Sequence, residues 1–533
     1  MNSWKLMFAL LAGVLLTIPA SALPFVDAPG TFPHGLTTDG TNLWCADYDG
    51  ARVYKLDANG QTVGSFALSF SQPRGLAYTN GVLFVASGSR IYRLDANNGT
   101  HLSDFGSPDA TSPNHQGLAY GDGKLWIASR GADDRIFGVD PLTGASLVDF
   151  AAPGSNPRGL TFHEGALWNL DSSDDRIHRL STVDGSVQAS HPIPLGNPRG
   201  CTFWNGSFIQ SDPNVDTLMR FTITNTWATV ALAPSRFFKP GRPFWIPYMS
   251  SHPVGETNEA IRRILFFQHG ISDNAPEYFA RARYAARLEG HRDDTLVVAF
   301  QLIDDNKLIA APPADMLYWT GGRFWGGLSA GASAPYPRPE RYSAFELLDD
   351  FLTQLTGDTR RFPRLEEIVI SGHSGGGQFA NRYAATSPFE NTLLAGGGSL
   401  SMHYVVMNPS SYVYFNALRY DPATLDLDAG VVDFVTPNPA VPGHNEYGYG
   451  LDDLYSYPAA VGSGGIQAQY SGRKVIYLVG DADTGSGSLD VDPEAMLQGS
   501  NRYERALIYY EHLKDHFGHA GLSRHRLAEI PGV

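Results

Sequence analysis

The residues most suited to chemistry form a G-x-S-x-G motif, Gly372-His373-Ser374-Gly375-Gly376. The apolar residues before it, 367–371, predict a strand, and a helical pattern begins near Gln378. Glycines at these positions permit a sharp, strained turn that lifts a serine hydroxyl clear of a sheet edge. The context predicts Ser374 as a nucleophile. The alternative is a glycine-rich strand-to-helix turn without a chemical role.

A second segment, Gln268-His269-Gly270-Ile271, follows another apolar run at 264–267. Backbone N–H groups at Gly270 or Ile271, together with that of Gly375, are predicted to form an oxyanion hole. Such a hole stabilises the negative charge that develops on a carbonyl oxygen under attack. His269 adjoins this segment, and we interpret it as a structural residue.

Acidic residues follow the apolar run at 475–479, in the loop 480–483. We predict Asp483 as the acid that orients a catalytic histidine, and Asp481 is the alternative. A calcium loop that also used Asp490 and Asp492 is a third interpretation. The EF-hand pattern fails for it, because Ser486 stands where a glycine is expected.

Strands and helices alternate over the second half of the chain. Apolar runs predict buried strands at 264–267, 296–300, 368–370, 404–407 and 475–479. Helical patterns lie between them, at 278–288, 344–355 and 378–386. The alternation predicts an α/β domain with a mostly parallel sheet over 263–533, preceded by a linker at 231–262 that contains an edge strand near 245–249.

These features together resemble the α/β-hydrolase superfamily. Short segments, among them Asn408-Pro409-Ser410-Ser411-Tyr412 and the loop 480–484, are similar to a group of secreted bacterial and fungal serine hydrolases. The resemblance implies acyl transfer to water, in which Ser374 attacks a carbonyl carbon and a histidine takes its proton. Asp483 would orient that histidine, and backbone N–H groups would hold the oxyanion.

The catalytic histidine is where the chain departs from the superfamily pattern. In that pattern the histidine follows the last strand of the sheet, which is predicted here at 526–530, and the sequence ends at Val533. The remaining candidates precede or enter that strand, so we expect none to accept the Ser374 proton. We therefore expect an incomplete, nearly inactive chain and an active longer version. These candidates are His512, His516, His519 and His525.

The segment 413–470 is rich in Tyr, Asp, Pro and Gly, and it is predicted to be a cap that shapes the pocket. Its candidate lining residues, which packing would explain equally well, are Tyr447, Tyr449, Tyr455 and Tyr457. Near the end of the chain, His512, His516 and His519 have the spacing of one helix face. That spacing permits metal binding, but Gly518 weakens the helix and no fourth ligand is evident. We favour a solvated helix face and expect no metal or cofactor.

Five repeats fill the first half of the chain. Each contains a Pro-Arg-Gly-Leu anchor or a variant of it, and the anchor glycines are Gly35, Gly75, Gly117, Gly159 and Gly200. A spacing of roughly 40 residues, with short apolar runs between Asp, Asn and Gly turns, is typical of β-propeller blades. We predict a propeller of about five blades over 24–230. It is loosely similar to NHL-like propellers.

The segment before the first anchor predicts how this ring closes. Residues 25–30 are similar to residues 149–154, which precede the fourth anchor, so they look like a last strand without earlier ones. We expect them to complete the fifth blade. Cys45 and Cys201 lie in the first and fifth blades. Two unpaired apolar residues are favoured there over a ring-closing disulfide.

Residues 1–22 have the features of a signal peptide, with Lys5, an apolar run over 6–18 and small residues before a cleavage site after Ala22. They predict a secreted or periplasmic protein. The apolar run is shorter than the roughly 20 residues that span a bilayer, and we expect no membrane span.

The composition excludes further classes of protein. A chain with 43% hydrophobic and 17% charged residues is globular, not disordered. Its formal net charge of −15 disfavours nucleic acid as a partner. Two cysteines cannot build a cysteine-rich zinc site.

The sequence predicts a secreted serine hydrolase that cleaves a carboxylic ester, in a small molecule or a polymer, with the propeller as an accessory or recognition domain. One alternative is a non-catalytic propeller binding protein with a degenerate hydrolase domain. Another is a peptidase resembling the prolyl oligopeptidase family. That family usually has seven blades and an aromatic residue where Gly375 stands. The acyl group, the alcohol and the oligomeric state do not follow from the sequence.

Overall fold

The computed structural model describes residues 23–109, 114–193, 197–221, 227–230, 233, 235–395, 400–427 and 429–533. The predicted signal peptide, 1–22, lies outside the described residues. The described chain divides into two compact units, one up to residue 233 and one over Ser235–Val533.

The first unit is a five-bladed β-propeller in which each blade is a four-stranded antiparallel sheet. The first blade contains Pro33–Thr38, Leu43–Asp47, Arg52–Leu56 and Thr62–Ala67, and the second contains Leu76–Thr79, Val82–Ser87, Arg90–Asp95 and His101–Gly106. The third contains His115–Gly121, Lys124–Ser129, Arg135–Val139 and Ser146–Ala151, and the fourth contains Pro157–His163, Ala166–Asp171, Arg176–Leu180 and Val187–Pro192. The fifth contains Cys201–Trp204, Ser207–Asp212, Thr217–Phe221 and Leu23–Asp27.

The N-terminal strand closes the ring as predicted. Leu23–Asp27 pairs antiparallel with Thr217–Phe221 and supplies the outermost strand of the fifth blade. The predicted pairing state of the cysteines is also confirmed, since Cys45 and Cys201 are both free and buried.

The anchor glycines explain how the blades pack around the axis. A Cβ atom on Gly117 would overlap the backbone of Arg158 in the next blade, and one on Gly200 would overlap the backbone of His34 in the first. The other anchor glycines meet the next blade in the same way. Because the inner strands touch through their backbones, each repeat needs a residue without a side chain at this position.

The second unit contains an eight-stranded sheet. Its order across the sheet is Ser235–Phe238, Trp245–Ser250, Thr295–Phe300, Arg263–Gln268, Glu367–His373, Ser401–Met407, Val475–Gly480 and His525–Ile530. The strands from Thr295–Phe300 onward are mutually parallel, and the first two are antiparallel additions. Every strand predicted from an apolar run is present. Trp245–Ser250 is not the edge strand, because Ser235–Phe238 pairs along its outer side.

Helices connect these strands, as expected for a parallel sheet. They are Ala275–Leu288, Ala344–Thr356, Gly375–Thr386, Phe389–Ala395, Ser456–Ala459, Gly462–Tyr470, Pro493–Met496 and Arg502–Gly521, with a 3-10 turn at Asp305–Lys307 and a two-stranded ribbon of Arg419–Tyr420 and Phe434–Val435. Phe379 packs its helix against the sheet, because its ring centroid lies 5.9 Å from that of Phe266 and 4.9 Å from that of Phe345.

Among the helices in the described ranges, none combines the length and apolarity needed to cross a bilayer.

We predict that Gly117→Ala destabilises the propeller. The new methyl group would overlap the Arg158 carbonyl oxygen, and overpacking of this kind costs about 1–3 kcal/mol or more. Gly106→Ala is the matched control, because Gly106 also lies in a blade strand and has open space around it. Thermal unfolding followed by circular dichroism should show a lower Tm for Gly117→Ala alone. Equal melting of the two variants would contradict the packing argument.

Candidate functional site

Ser374 occupies a strained turn between the strand Glu367–His373 and the helix Gly375–Thr386. Its backbone has φ 57° and ψ −119°, a conformation that favours glycine and is costly for a residue with a side chain. The Ser374 N–H donates to the carbonyl oxygen of Met407 at 3.0 Å, at the end of the neighbouring strand. The turn holds Ser374 half-buried at the carboxyl edge of the sheet.

The glycines of the motif are required by close backbone approaches. A Cβ atom on Gly372 would overlap Gly376, and one on Gly376 would overlap the carbonyl oxygens of Gln268 and His269. The next residue, Gly377, meets the Met407 carbonyl oxygen in the same way. The start of the helix therefore presses directly against the ends of two strands, which fixes the position of Ser374.

The predicted oxyanion residues lie beside Ser374. A Cβ atom on Gly270 would be 3.4 Å from the Ser374 Cβ, and one on Gly375 would be 3.5 Å from the Ile271 nitrogen. Gly375 begins its helix, so its N–H has no acceptor within the helix. In the described part of the chain, the Ile271 N–H donates no hydrogen bond to another backbone group. Two backbone donors thus lie close together next to the serine.

His269 is buried and engaged at both ring nitrogens. Its Nδ1–H donates to the Gly270 carbonyl oxygen at 2.7 Å, and its Nε2 accepts from the Leu302 N–H at 2.9 Å. Burial lowers its pKa to about 4, so the ring is neutral at physiological pH. His269 therefore holds the oxyanion segment to the neighbouring loop.

His373 is also neutral. Its Nδ1 lies 3.1 Å from the Tyr278 hydroxyl. Burial, followed by the charges of Arg502 and Arg281, lowers the pKa of His373 to about 4. The Tyr278 contact connects this ring to the helix Ala275–Leu288.

Asp483 lies at the same edge of the sheet as Ser374. Its Oδ2 accepts a hydrogen bond from the Asn408 side-chain amide at 2.6 Å, and its Oδ1 is 3.5 Å from Arg502 Nη1. Asp481 has a different environment, in which its Oδ1 accepts from the Gly532 N–H at 2.7 Å. Asn408 and Arg502 were not predicted. Asn408 directly follows a predicted strand, and that position is the signal that could have identified it.

Three of the four histidines near the end of the chain have hydrogen-bond partners other than Ser374. His525 begins the last strand, where its Nδ1 is 3.0 Å from the Tyr477 hydroxyl and its Nε2–H donates to the Tyr470 carbonyl oxygen at 3.1 Å. His512 Nε2 accepts from the Phe415 N–H at 3.2 Å. Across the described residues, no hydrogen bond joins Ser374 Oγ to an imidazole.

The prediction that the last helix presents a solvated histidine face is wrong for His512. The helix Arg502–Gly521 packs this face against the segment 413–470, so the His512 ring is buried 4.3 Å from the Tyr414 ring centroid. His519 is exposed, and Gly518 breaks the helix with φ 69°, as its position suggested. Over the described ranges, no three His, Cys, Asp or Glu side chains are grouped as metal ligands.

The tyrosines of segment 413–470 form hydrogen bonds within the unit. The hydroxyl of Tyr449 donates to Asp490 Oδ2 at 3.0 Å, and that of Tyr457 donates to Asp349 Oδ2 at 2.6 Å. The Tyr455 hydroxyl lies 2.8 Å from Ser343 Oγ. A Cβ atom on Gly326 would lie 3.8 Å from Tyr447 Cε1.

Trp325 is a neighbour of the site that was not predicted. A Cβ atom on Gly375 would lie 3.2 Å from Trp325 Cε3 and 3.2 Å from Ile271 Cγ2. These two side chains flank the first helical N–H. The aromatic pair Phe324-Trp325 between paired glycines was the available sequence signal.

No protein-family model matches the chain. No curated protein matches it either. Among solved structures, the chain is similar to a poly(3-hydroxybutyrate) depolymerase from Bordetella parapertussis, with 20% identity, a TM-score of 0.37, and coverage of 56% of this chain and 82% of that one.

A poly(aspartic acid) hydrolase from Sphingomonas sp. KT-1 is similar at 21% identity and a TM-score of 0.34, over 57% of this chain and 93% of that one. A virginiamycin B lyase from Staphylococcus aureus is similar at 19% identity and a TM-score of 0.26, over 41% and 77%. Identities and TM-scores this low give no basis for transferring an activity to this chain.

The strain at Ser374 gives a testable stability difference. Ser374→Gly should be more stable than Ser374→Ala by about 1 kcal/mol, because glycine relieves the positive-φ strain that alanine keeps. Both variants lack the hydroxyl, so the comparison isolates the backbone. Chemical denaturation of the two proteins measures the difference, and a less stable Ser374→Gly protein would show that the turn is unstrained.

Proposed function

We propose that this chain is a serine hydrolase that cleaves a carboxylic ester, with Ser374 as the nucleophile. The observation that carries the proposal is the strained Ser374 turn beside the two backbone donors of Ile271 and Gly375. In this arrangement Ser374 Oγ forms a bond to the ester carbonyl carbon, the bond between that carbon and the alcohol oxygen breaks, and the alcohol leaves with the proton that Ser374 loses. Water then displaces Ser374 from the acyl group, which restores the hydroxyl and releases the carboxylic acid. The N–H groups stabilise the oxyanion, and the positive end of the helix dipole adds to that effect.

Asp483 is the proposed acid of the site. It follows the strand Val475–Gly480 and is oriented by Asn408, which follows the adjacent strand Ser401–Met407. A carboxylate held in this way can fix the tautomer and the orientation of an imidazole. The strand order of the sheet is compatible with an α/β-hydrolase fold, in which the acid occupies this strand end.

The remaining parts of the proposal concern context. The features of residues 1–22 support export to a secreted or periplasmic location. The propeller is proposed as an accessory or recognition domain for a small or polymeric ester.

A second candidate is a non-catalytic binding protein that retains a degenerate hydrolase unit. The observation that favours it is that Ser374 Oγ accepts or donates no hydrogen bond with any imidazole in the described ranges, since the nearby His269 and His373 rings have other partners. The two candidates differ in whether Ser374 is reactive.

Labelling with a fluorophosphonate separates them. If Ser374 is the nucleophile, its oxygen displaces fluoride from phosphorus, and mass spectrometry should find one adduct, on the peptide that contains Ser374. Ser374→Ala should abolish the adduct. In a form of the protein that hydrolyses short p-nitrophenyl esters, the same change should lower kcat by roughly three orders of magnitude or more. Ser371→Ala is the matched control, because Ser371 lies in the strand that precedes Ser374, with its Oγ buried and unpaired. Unlabelled native protein, or equal labelling of Ser374→Ala, would favour the binding protein.

The two candidate acids can be compared directly. In a form of the protein that hydrolyses esters, Asp483→Asn should slow the reaction by roughly 10²–10⁴-fold, because an amide does not stabilise a catalytic imidazolium as a carboxylate does. Asp481→Asn should change the rate by less than about tenfold, since Asp481 bonds the backbone of Gly532. The kcat of folded variants decides between them. A larger loss in Asp481→Asn would move the acid to that residue.

A further inference from the structure

The inner strands of the propeller carry a set of equivalent residues at one end of the axis. Each stands directly before an anchor glycine, and those glycines contact the backbone of the next blade around the ring. Because all five inner strands run in the same direction, these residues lie at the same end of the propeller axis. We name them the anchor cluster: His34, Arg74, Gln116, Arg158 and Arg199.

The side chains of the anchor cluster interact across blades. Arg158 Nη1 donates to Gln116 Oε1 of the preceding blade at 2.9 Å, and Arg74 donates to Asn114 Oδ1. Burial, and then the charges of Arg199, Arg74 and Arg158, lower the pKa of His34 to about 2. The three arginines thus act together on the His34 imidazole in the first blade, although they come from three other blades.

The positive charge of this cluster is only partly offset, because the Asp212 carboxylate opposes the lowering of the Arg199 pKa and Asp171 does the same for Arg158. In the described part of the chain, no carboxylate forms a salt bridge with Arg74, Arg158 or Arg199. Nearby Asp171 oxygens accept from the N–H groups of Asn156, at 3.2 Å, and Ser173, at 2.8 Å. The Arg158 and Arg199 charges therefore lie close together in a protein with a net charge of −15.

Unpaired polar atoms accompany the charges. The Nε–H groups of Arg74 and Arg199 are buried without an acceptor, and so are both ring nitrogens of His115, which precedes Gln116. His115 is only 1% exposed. A buried donor without an acceptor is costly, and a guanidinium presents its donors in a planar fork that fits a carboxylate or a phosphate.

We propose that the anchor cluster binds a small oxyanion, a carboxylate or phosphate group, at this end of the propeller axis. Arg74, Arg158 and Arg199 supply the charged donors, and His34 and Gln116 are the other two members of the cluster. Three guanidinium groups favour an anion with two negative charges over one with a single charge. The proposal concerns the propeller alone and does not depend on the chemistry of Ser374.

Burial and the neighbouring charges of Arg199, Arg130 and Arg74 lower the pKa of Arg158 to about 9, while Asp171 opposes the shift. A bound anion would relieve this repulsion. The same relief should appear as added thermal stability of the propeller, because a ligand that binds the folded state stabilises it.

Isothermal titration calorimetry on the full chain tests the proposal, with inorganic phosphate, succinate and acetate as probes in a low-chloride buffer. We expect phosphate or succinate to bind more tightly than acetate, and the tighter of the two identifies the preferred group. Arg158→Gln and Arg199→Gln should each raise the Kd about tenfold or more, since each removes a charged donor. Arg158→Lys, which keeps the charge and loses the fork, should have an intermediate effect.

Arg93→Gln is the matched control. Arg93 lies in a blade of the same propeller, with its Nε also buried and unpaired and its Nη1 bonded to Ser103 Oγ at 2.8 Å, but it is outside the anchor cluster. Its Kd should stay within about twofold of the native value. The proposal is overturned if neither phosphate nor succinate binds, or if Arg93→Gln weakens binding as much as Arg158→Gln. If a cluster variant fails to fold, the phosphate-induced rise in Tm of the native chain, set against that of Arg158→Lys, makes the same test.

Discussion

The candidate site depends on the contact between the first turn of one helix and the ends of two strands. Gly376 lies against the carbonyl oxygens of Gln268 and His269, at a separation that no side chain would permit. This contact brings the Gly375 N–H beside Ile271 and forces Ser374 into its positive-φ conformation. The positions of the hydroxyl and of both backbone donors therefore follow from one backbone approach.

Neutral imidazoles support this arrangement. His269 is buried and His373 is half-buried, and desolvation keeps each ring uncharged while it bonds a nearby group. A charged imidazole at either place would need a counter-ion in a region that has little solvent. The charged groups are found farther along the sheet edge, where Asp483 lies between Asn408 and Arg502. Backbone and neutral rings thus shape the turn, and the ionised residues lie beside it.

The spacing of the repeats and the runs of apolar residues predicted most of the fold, because each can be recognised in a short stretch of sequence. The repeat of anchor glycines predicted five blades, and runs such as 475–479 predicted the parallel strands. Local signals did not predict that Ser235–Phe238 adds a strand outside Trp245–Ser250, since neither strand is a long apolar run. They also missed the burial of His512, which depends on how segment 413–470 covers the last helix. Asn408 and Trp325 approach the site from separate loops and Arg502 from the start of the last helix, and only the tertiary structure brings them there.

The outer strand of the fifth blade has a consequence for the order of assembly. Leu23 pairs with Arg220, so the whole ring separates the two partners along the chain. Closing so large a loop has a high entropic cost and is slow, whereas the strands of the other blades are neighbours in sequence. The first propeller strand to be synthesised is therefore among the last to be ordered. Until it pairs, Thr217–Phe221 is an open sheet edge, of the kind through which chains associate with one another.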